Sequence, residues 1–145
     1  MIAFISLVFA SRMLVTRVPI GVRITASSYD GVLVSADRDT AAAWEATPAN
    51  VEEAESALAT LFKGPAYKRT RLSRELPRYK RQYWPVLRGN RKVLLIFGFH
   101  ETQKPASTRD WLNQVCSVAG GGDYFFRAEY DFAARKAVGG PNGPK

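Results

Sequence analysis

Residues 79–100 read YKRQYWPVLRGNRKVLLIFGFH, two runs of strand period joined by a turn. Val93, Leu95, Phe97 and Phe99 alternate with Lys92, Leu94, Ile96 and Gly98, which predicts a strand apolar on one face, partly apolar on the other, and central in its sheet. Tyr79, Arg81 and Tyr83 alternate in the same way with Lys80, Gln82 and Trp84. Between the runs, Arg88-Gly89-Asn90-Arg91 supplies residues that tolerate positive φ in a tight hairpin. Strands over 79–87 and 91–100 are therefore expected side by side. Pro85 cannot donate to a ladder, which puts the first of them at an edge or gives it a bulge.

Downstream, past a polar loop over 101–110, residues 112–118 and 124–132 read as a second strand pair separated by Ala119-Gly120-Gly121-Gly122-Asp123. Tyr124, Phe126, Ala128, Tyr130 and Phe132 take one face and Arg127, Glu129 and Asp131 the other, as in a sheet with one buried and one wet side. Upstream, Val51, Ala54, Leu58, Leu61 and Phe62 recur at helical spacing over 48–63. Either Thr47 caps this helix with Pro48 in first position, or Asn50 caps it with Glu53 closing a box. Glu52, Glu53 and Glu55 suit the positive end of its dipole, and Gly64-Pro65 ends it. Residues 67–77 are a basic connection, a short second helix or a loop, with Leu72 and Leu76 as aliphatic contacts. Residues 22–36 read as an irregular lead-in with a short strand near the Asp30-Gly31 turn signal, and Trp44 as an anchor packed on the domain. The expected division is a lead-in over 1–43, a single α+β domain over 44–138 and a flexible Gly-rich tail over 139–145. The domain is expected to pack one main helix on a curved, four-stranded antiparallel sheet.

With 145 residues, 46% hydrophobic and 23% charged, the chain suits one globular domain with a core of its own. A single cysteine, Cys116, excludes an internal disulfide, and a single histidine, His100, leaves no Cys/His cluster for a structural metal. No motif asks for a cofactor. The apolar run at 2–10 is shorter than the ~20 residues of a membrane span. It is similar to the core of an export signal with Ala10 as cleavage point, although no basic residue precedes it; alternatively it is an amphipathic or strand-like segment of the mature protein that continues through Met13, Leu14, Val15, Val18 and Ile20. A periplasmic or exported protein is expected on that reading, and a cytoplasmic one if this start is retained.

The net charge of +8 is concentrated: residues 63–92 hold eleven basic residues against Glu75, a net of +10, so the rest of the chain carries −2. Arg81, Tyr83 and Trp84 beside Arg88 and Arg91 interleave bases with aromatics, as single-strand nucleic-acid platforms do. Arg69, Arg71, Arg74, Arg81, Arg88 and Arg91 are thus candidate contacts for an anionic polymer or lipid, although solvated linker charge is the commoner origin of such a run. Arg69, Arg71 and Arg74 are expected outside the core. A nucleophile and base could be built only from His100, Glu101, Cys116 and Asp123. His100 and Cys116 fall on separate predicted strands, as a strand-end histidine and a buried, inert thiol. Glycines 120–122 lack the following helix and the Lys-Ser or Lys-Thr pair of a phosphate loop, and read as a hairpin turn. Gln82 either hydrogen-bonds within the sheet or lines a concave face.

One helix followed by four antiparallel strands is similar to the cystatin-like layout and to the related nuclear transport factor 2-like cone. Thr47-Pro48 with Val51, Tyr79-Lys80-Arg81-Gln82-Tyr83, Trp111, Gly120-Gly121-Gly122-Asp123, Glu129-Tyr130-Asp131 and Asn142-Gly143 resemble, over 44–143, small uncharacterised bacterial proteins that are exported or lipid-anchored. That resemblance implies a fold and the bacterial envelope but no assigned activity, and leaves Gln82, Tyr83, Trp111 and Asp123 as motif residues of unknown role. Ala119 stands where an acidic residue usually precedes the glycines, and no lipobox cysteine stands near the start, so a lipid anchor is not implied. The expected function is a non-enzymatic exported accessory or binding protein whose partner is a protein or envelope component. The alternatives are a weak binder of nucleic acid or anionic lipid, and a small-molecule enzyme of the cone-shaped class. Such an enzyme would need extra N-terminal helices and a deep pocket with Asp123 or His100 at its base. Cystatin-type protease inhibition would need a Gln-x-Val-x-Gly loop that this chain lacks.

Overall fold

The 22–36 stretch, where one short strand is expected, holds most of two strands, and a third precedes it. The computed structural model of the chain describes residues 12–36, 42–103 and 108–143; the apolar run at 2–10 and parts of the 37–47 and 101–110 segments lie outside them. In chain order the strands are β1 (Leu14–Val18), β2 (Gly21–Thr25), β3 (Asp30–Val34), β4 (Tyr79–Arg88), β5 (Arg91–His100), β6 (Phe125–Asp131) and β7 (Lys136–Pro141). Helix α1 (Pro48–Phe62) and the short α2 (Arg71–Glu75) lie between β3 and β4. The strands follow one another across a single open sheet, antiparallel except for β3 beside β4. The architecture is therefore α+β with one main helix on a seven-stranded, mostly antiparallel mixed sheet, which corrects the four-stranded expectation. Two causes are visible. The first strands are five residues long, too short for their period to stand out. The other is that Asp30-Gly31 opens β3 instead of turning the chain, the turn lying earlier, where Ala26 N–H donates to Tyr29 O (2.8 Å). β3 and β4 are parallel because the helical crossover returns the chain to its starting end.

The β4–β5 hairpin closes as expected. Gly89 takes φ +62 at the first central position of a two-residue loop, as in a type II′ turn. Pairing runs unbroken from Tyr79↔His100 to Arg88↔Arg91, so Pro85 makes no bulge. β3 covers β4 only from Lys80 to Tyr83, and Pro85 lies beyond that cover, where Ala43 N–H donates to its carbonyl (2.7 Å). β4 is interior in its first half, and among the described residues no strand pairs with that flank of its second half, which is where a residue without an N–H fits.

Residues 112–118 are not a strand. β6 pairs directly with β5, and residues 108–121 run as turns and coil. The Gly-rich end is also not a free tail, because Lys136–Pro141 pairs with β6 as the last strand.

Alternation divides the sheet into two faces. Ile24, Leu33, Tyr83, Leu94, Ile96, Phe126, Ala128 and Tyr130 pack beneath Val51, Ala54, Leu58 and Phe62 of α1. Phe97, Phe99 and Phe125 point the other way, against Cys116 and Trp111 of the 108–121 segment. Thr47 caps α1, accepting from Asn50 N–H (3.3 Å), while Asn50 Oδ1 accepts from Thr47 N–H (2.8 Å), with Pro48 in first position. Trp44 is the anchor expected: Nε1 donates to Val86 O (3.0 Å) and the ring meets Phe132 edge to face.

Candidate ligand pocket

Two positions interrupt the apolar pattern of the helix-facing layer. Glu55 falls within the α1 stripe, and Arg81 falls between Tyr79 and Tyr83 on β4. Their side chains are 6% and 0% exposed, and Arg81 Nε lies 2.6 Å from Glu55 Oε1. The pair is held by charge, since the Nε–H is not aligned on the oxygen. Tyr83 Oη donates to the same Oε1 (2.6 Å), and Arg81 Nη1 donates to Tyr79 O (2.6 Å). Burial pushes the Glu55 carboxyl above its ordinary value, against the pull of Arg81 and Tyr83.

Besides Arg81 Nε, two donors of this group remain over. Arg81 Nη2 and Tyr29 Oη are buried and meet no acceptor among the described residues. Burial, reinforced by the charges of Glu55 and Glu52, pushes the Tyr29 phenol up to about 12, so it keeps its proton at neutral pH. Both residues line a cavity of about 450 Å³ beneath α1. Ala59, Phe62, Leu72 and Leu76 contribute apolar wall, and Lys63, Arg74 and Glu52 contribute charge. A second hollow of about 380 Å³ opens on the opposite face, lined mainly by apolar groups of Trp84, Leu95, Phe97 and Val138.

Compared with protein-family models, curated proteins and solved structures, the chain matches none.

The motif residues have structural partners. Gln82 is fully buried; its Nε2 donates to Trp111 O and Gln114 O (2.7 Å each) and its Oε1 accepts from Cys116 N–H (2.7 Å). One side chain thus pins the 108–121 segment to the sheet. Trp111 meets Phe99 edge to face and lies under the Arg23 guanidinium. Asp123 follows three left-handed glycines (φ 73, 88 and 64), a run that other residues resist. It accepts from Arg71 N–H (2.7 Å) and from Arg71 Nη1 (3.0 Å). Burial opposes its ionisation, but those two bonds outweigh it and hold the carboxyl below its ordinary value.

His100 and Cys116 form no dyad. His100 sits among the rings of Tyr79 and Tyr124 with Nδ1 2.7 Å from Thr102 Oγ1, and burial lowers its pKa. Cys116 packs on the opposite face, where burial pushes its thiol up to about 11. Neither His100 nor Asp123 lines the cavity.

The six candidate anion-binding arginines do not make one surface. Arg81 is in the core, which removes it from any polymer contact. Arg71 pairs with Asp123 and Glu75 (3.0 Å each), Arg88 with Glu129 (2.7 Å) and Arg91 with Asp131 (3.1 Å). Arg78 and Lys80 are likewise paired, with Glu75 and Glu101 and with Asp30. Arg69 and Arg74 are exposed and have no ion pair among the described residues. Carboxylates from distant segments therefore neutralise much of a charge run that looks continuous in sequence.

The sequence reading missed Glu55, Arg81 and Tyr29 as a group. A carboxylate on an apolar helix stripe and a guanidinium between two same-face tyrosines were the available signals. Among the described residues no group of three or more His, Cys, Asp or Glu is placed to hold a metal, and no helix is long and apolar enough to cross a membrane.

Proposed function

We propose that the chain is a non-catalytic binding domain that receives a small ligand between α1 and the sheet. The observation carrying this reading is a pair of buried donors without an acceptor among the described residues, Arg81 Nη2 and Tyr29 Oη, on two residues that line one cavity. A buried donor left unmatched costs about 1–3 kcal/mol, a cost that a ligand acceptor would offset. Binding is favoured over catalysis because Glu55, the carboxylate at the base, is engaged by both Arg81 and Tyr83, and no histidine or cysteine lines the cavity.

A helix lying over a sheet with a cavity between them is in keeping with the cystatin-like layout or its cone-shaped relatives. Strands β1–β3 occupy the region where an enzyme of the cone-shaped class would be expected to carry extra helices. A role as an exported accessory protein of the bacterial envelope rests on the sequence resemblance. Cell fractionation with N-terminal sequencing tests that setting: cleavage near Ala10 supports it, and intact Met1 in the cytosol removes it.

The ligand-binding reading is tested by a thermal-shift screen of small molecules on the parent and on Ala59→Trp, which fills the cavity from its α1 wall. Compounds that stabilise the parent and not the variant are expected. Equal responses from both proteins would sink the reading.

A further inference from the structure

We propose that the ligand class is an organic carboxylate, with its head between Arg81 Nη2 and Tyr29 Oη and its hydrocarbon part against Phe62, Leu72 and Leu76. This rests on the cavity being the ligand site. The two unmatched groups both offer hydrogens: a guanidinium has no acceptor, and Tyr29 holds its proton. A planar head with two acceptor oxygens can satisfy both at once, and charged acceptors make the stronger bonds to guanidinium.

Over the whole lining, Lys63, Arg74 and Arg81 stand against Glu52 and Glu55, an excess of one positive charge. At Tyr29 itself Glu55 and Glu52 oppose an anion, so the hydrogen bonds from Arg81 Nη2 and Tyr29 Oη have to offset that cost. An ammonium head would face the guanidinium, with a donor where an acceptor is needed. Inorganic phosphate would supply acceptors but leave the apolar wall uncovered, losing the contribution of burying it. A volume of about 450 Å³ is within the range of small-molecule clefts.

The test is calorimetric titration of the full chain at 0.15 M salt, about physiological screening, with octanoate, octanamide, octylamine and inorganic phosphate, repeated on Tyr29→Phe. That variant removes a hydroxyl with no acceptor in the fold, so its unfolding midpoint is expected to hold or rise slightly. Octanoate should bind the parent about tenfold or more tighter than the other three probes, and its affinity should fall about tenfold in Tyr29→Phe. Octanamide or octylamine binding as tightly, and losing affinity in the variant, would keep the cavity as the site and overturn the carboxylate. Preference for inorganic phosphate would overturn the hydrocarbon part. Octanoate binding that Tyr29→Phe does not change would overturn the placement. No binding by any of the four would count against both the carboxylate and the cavity as a site.

Discussion

Arg81 Nε and Glu55 Oε1 stand 2.6 Å apart where the two side chains are 0% and 6% exposed. At that depth each group is tolerable only because of the other. Glu55→Leu leaves a buried guanidinium without its counter-charge, and Arg81→Met leaves a buried carboxylate; each is expected to cost about 3–5 kcal/mol. Changing both, to Leu and Met, should cost far less than the sum, because no charge is then left over. Urea unfolding of the four proteins measures this, and additive losses would show that the two residues act separately.

Gln82 holds Trp111 O, Gln114 O and Cys116 N–H at once. Gln82→Leu strands all three and should lower stability by about 2–3 kcal/mol while the sheet's circular dichroism is retained. The clearer readout is Cys116. It is 2% exposed with its thiol pushed up to about 11, so the parent should react slowly with a thiol reagent at neutral pH. The variant should react much faster, as the segment over it opens. An unchanged rate would mean that Phe97, Phe99 and Phe125 hold the segment without Gln82.

Asp123 links α2 to the start of β6 through Arg71, and its folded pKa lies below the ordinary value. A depressed carboxylate adds stability above its unfolded pKa of about 3.9 and loses it as pH falls through the folded value. Asp123→Asn should therefore be less stable than the parent by about 1 kcal/mol across the neutral range. The difference should shrink as pH falls through the ordinary carboxylate range and vanish once pH lies below the depressed folded value. Chemical unfolding at a series of pH values checks it, and a gap that widens on acidification would reverse the sign argued here.

The paired state of the basic run limits what it can do at a distance. Binding of single-stranded DNA, RNA or anionic vesicles should be weak and sequence-independent at low salt, and absent at about 0.15 M, where screening acts within ~8 Å. Replacing Arg69, Arg71 and Arg74 together is not a clean probe, because Arg71 is half-buried and anchors Asp123. Arg69→Ala with Arg74→Ala should leave stability within about 0.5 kcal/mol of the parent and remove any residual binding. Tight, salt-resistant binding that survives this change would place a functional surface elsewhere.

Long-period features were legible in the sequence. The α1 stripe, its Thr47 cap and the Gly89 hairpin need only local spacing, and each forms as read. Short strands were not, since five residues such as Gly21–Thr25 hold too few alternations to separate a strand from coil. Residues 112–118 misled because Leu112, Gln114, Cys116 and Val118 alternate, yet their backbone bonds go to the Gln82 side chain and to turns instead of a ladder. The polar group at the cavity stayed hidden for another reason. Tyr29, Glu55 and Arg81 come from β3's approach, α1 and β4, and only the crossover brings them together. Glu55 suits the helix dipole, a role available to any early glutamate, while its place on the stripe between Val51 and Leu58 is the more specific fact.

The parallel seam between β3 and β4 spans four residue pairs, Asp30↔Lys80 to Leu33↔Tyr83, whose members are fifty positions apart. Each side of that seam is continuous along the chain: β1–β3 as one piece, and α1 with β4–β7 as the other. The molecule is in effect a two-part assembly on one backbone, and the loop-closure entropy of joining the parts falls on this single docking step. The flank of β4 from Lys80 to Tyr83 that receives β3 would fit the same strand of a second copy equally well, so reciprocal exchange of the first three strands would rebuild this seam in a swapped dimer.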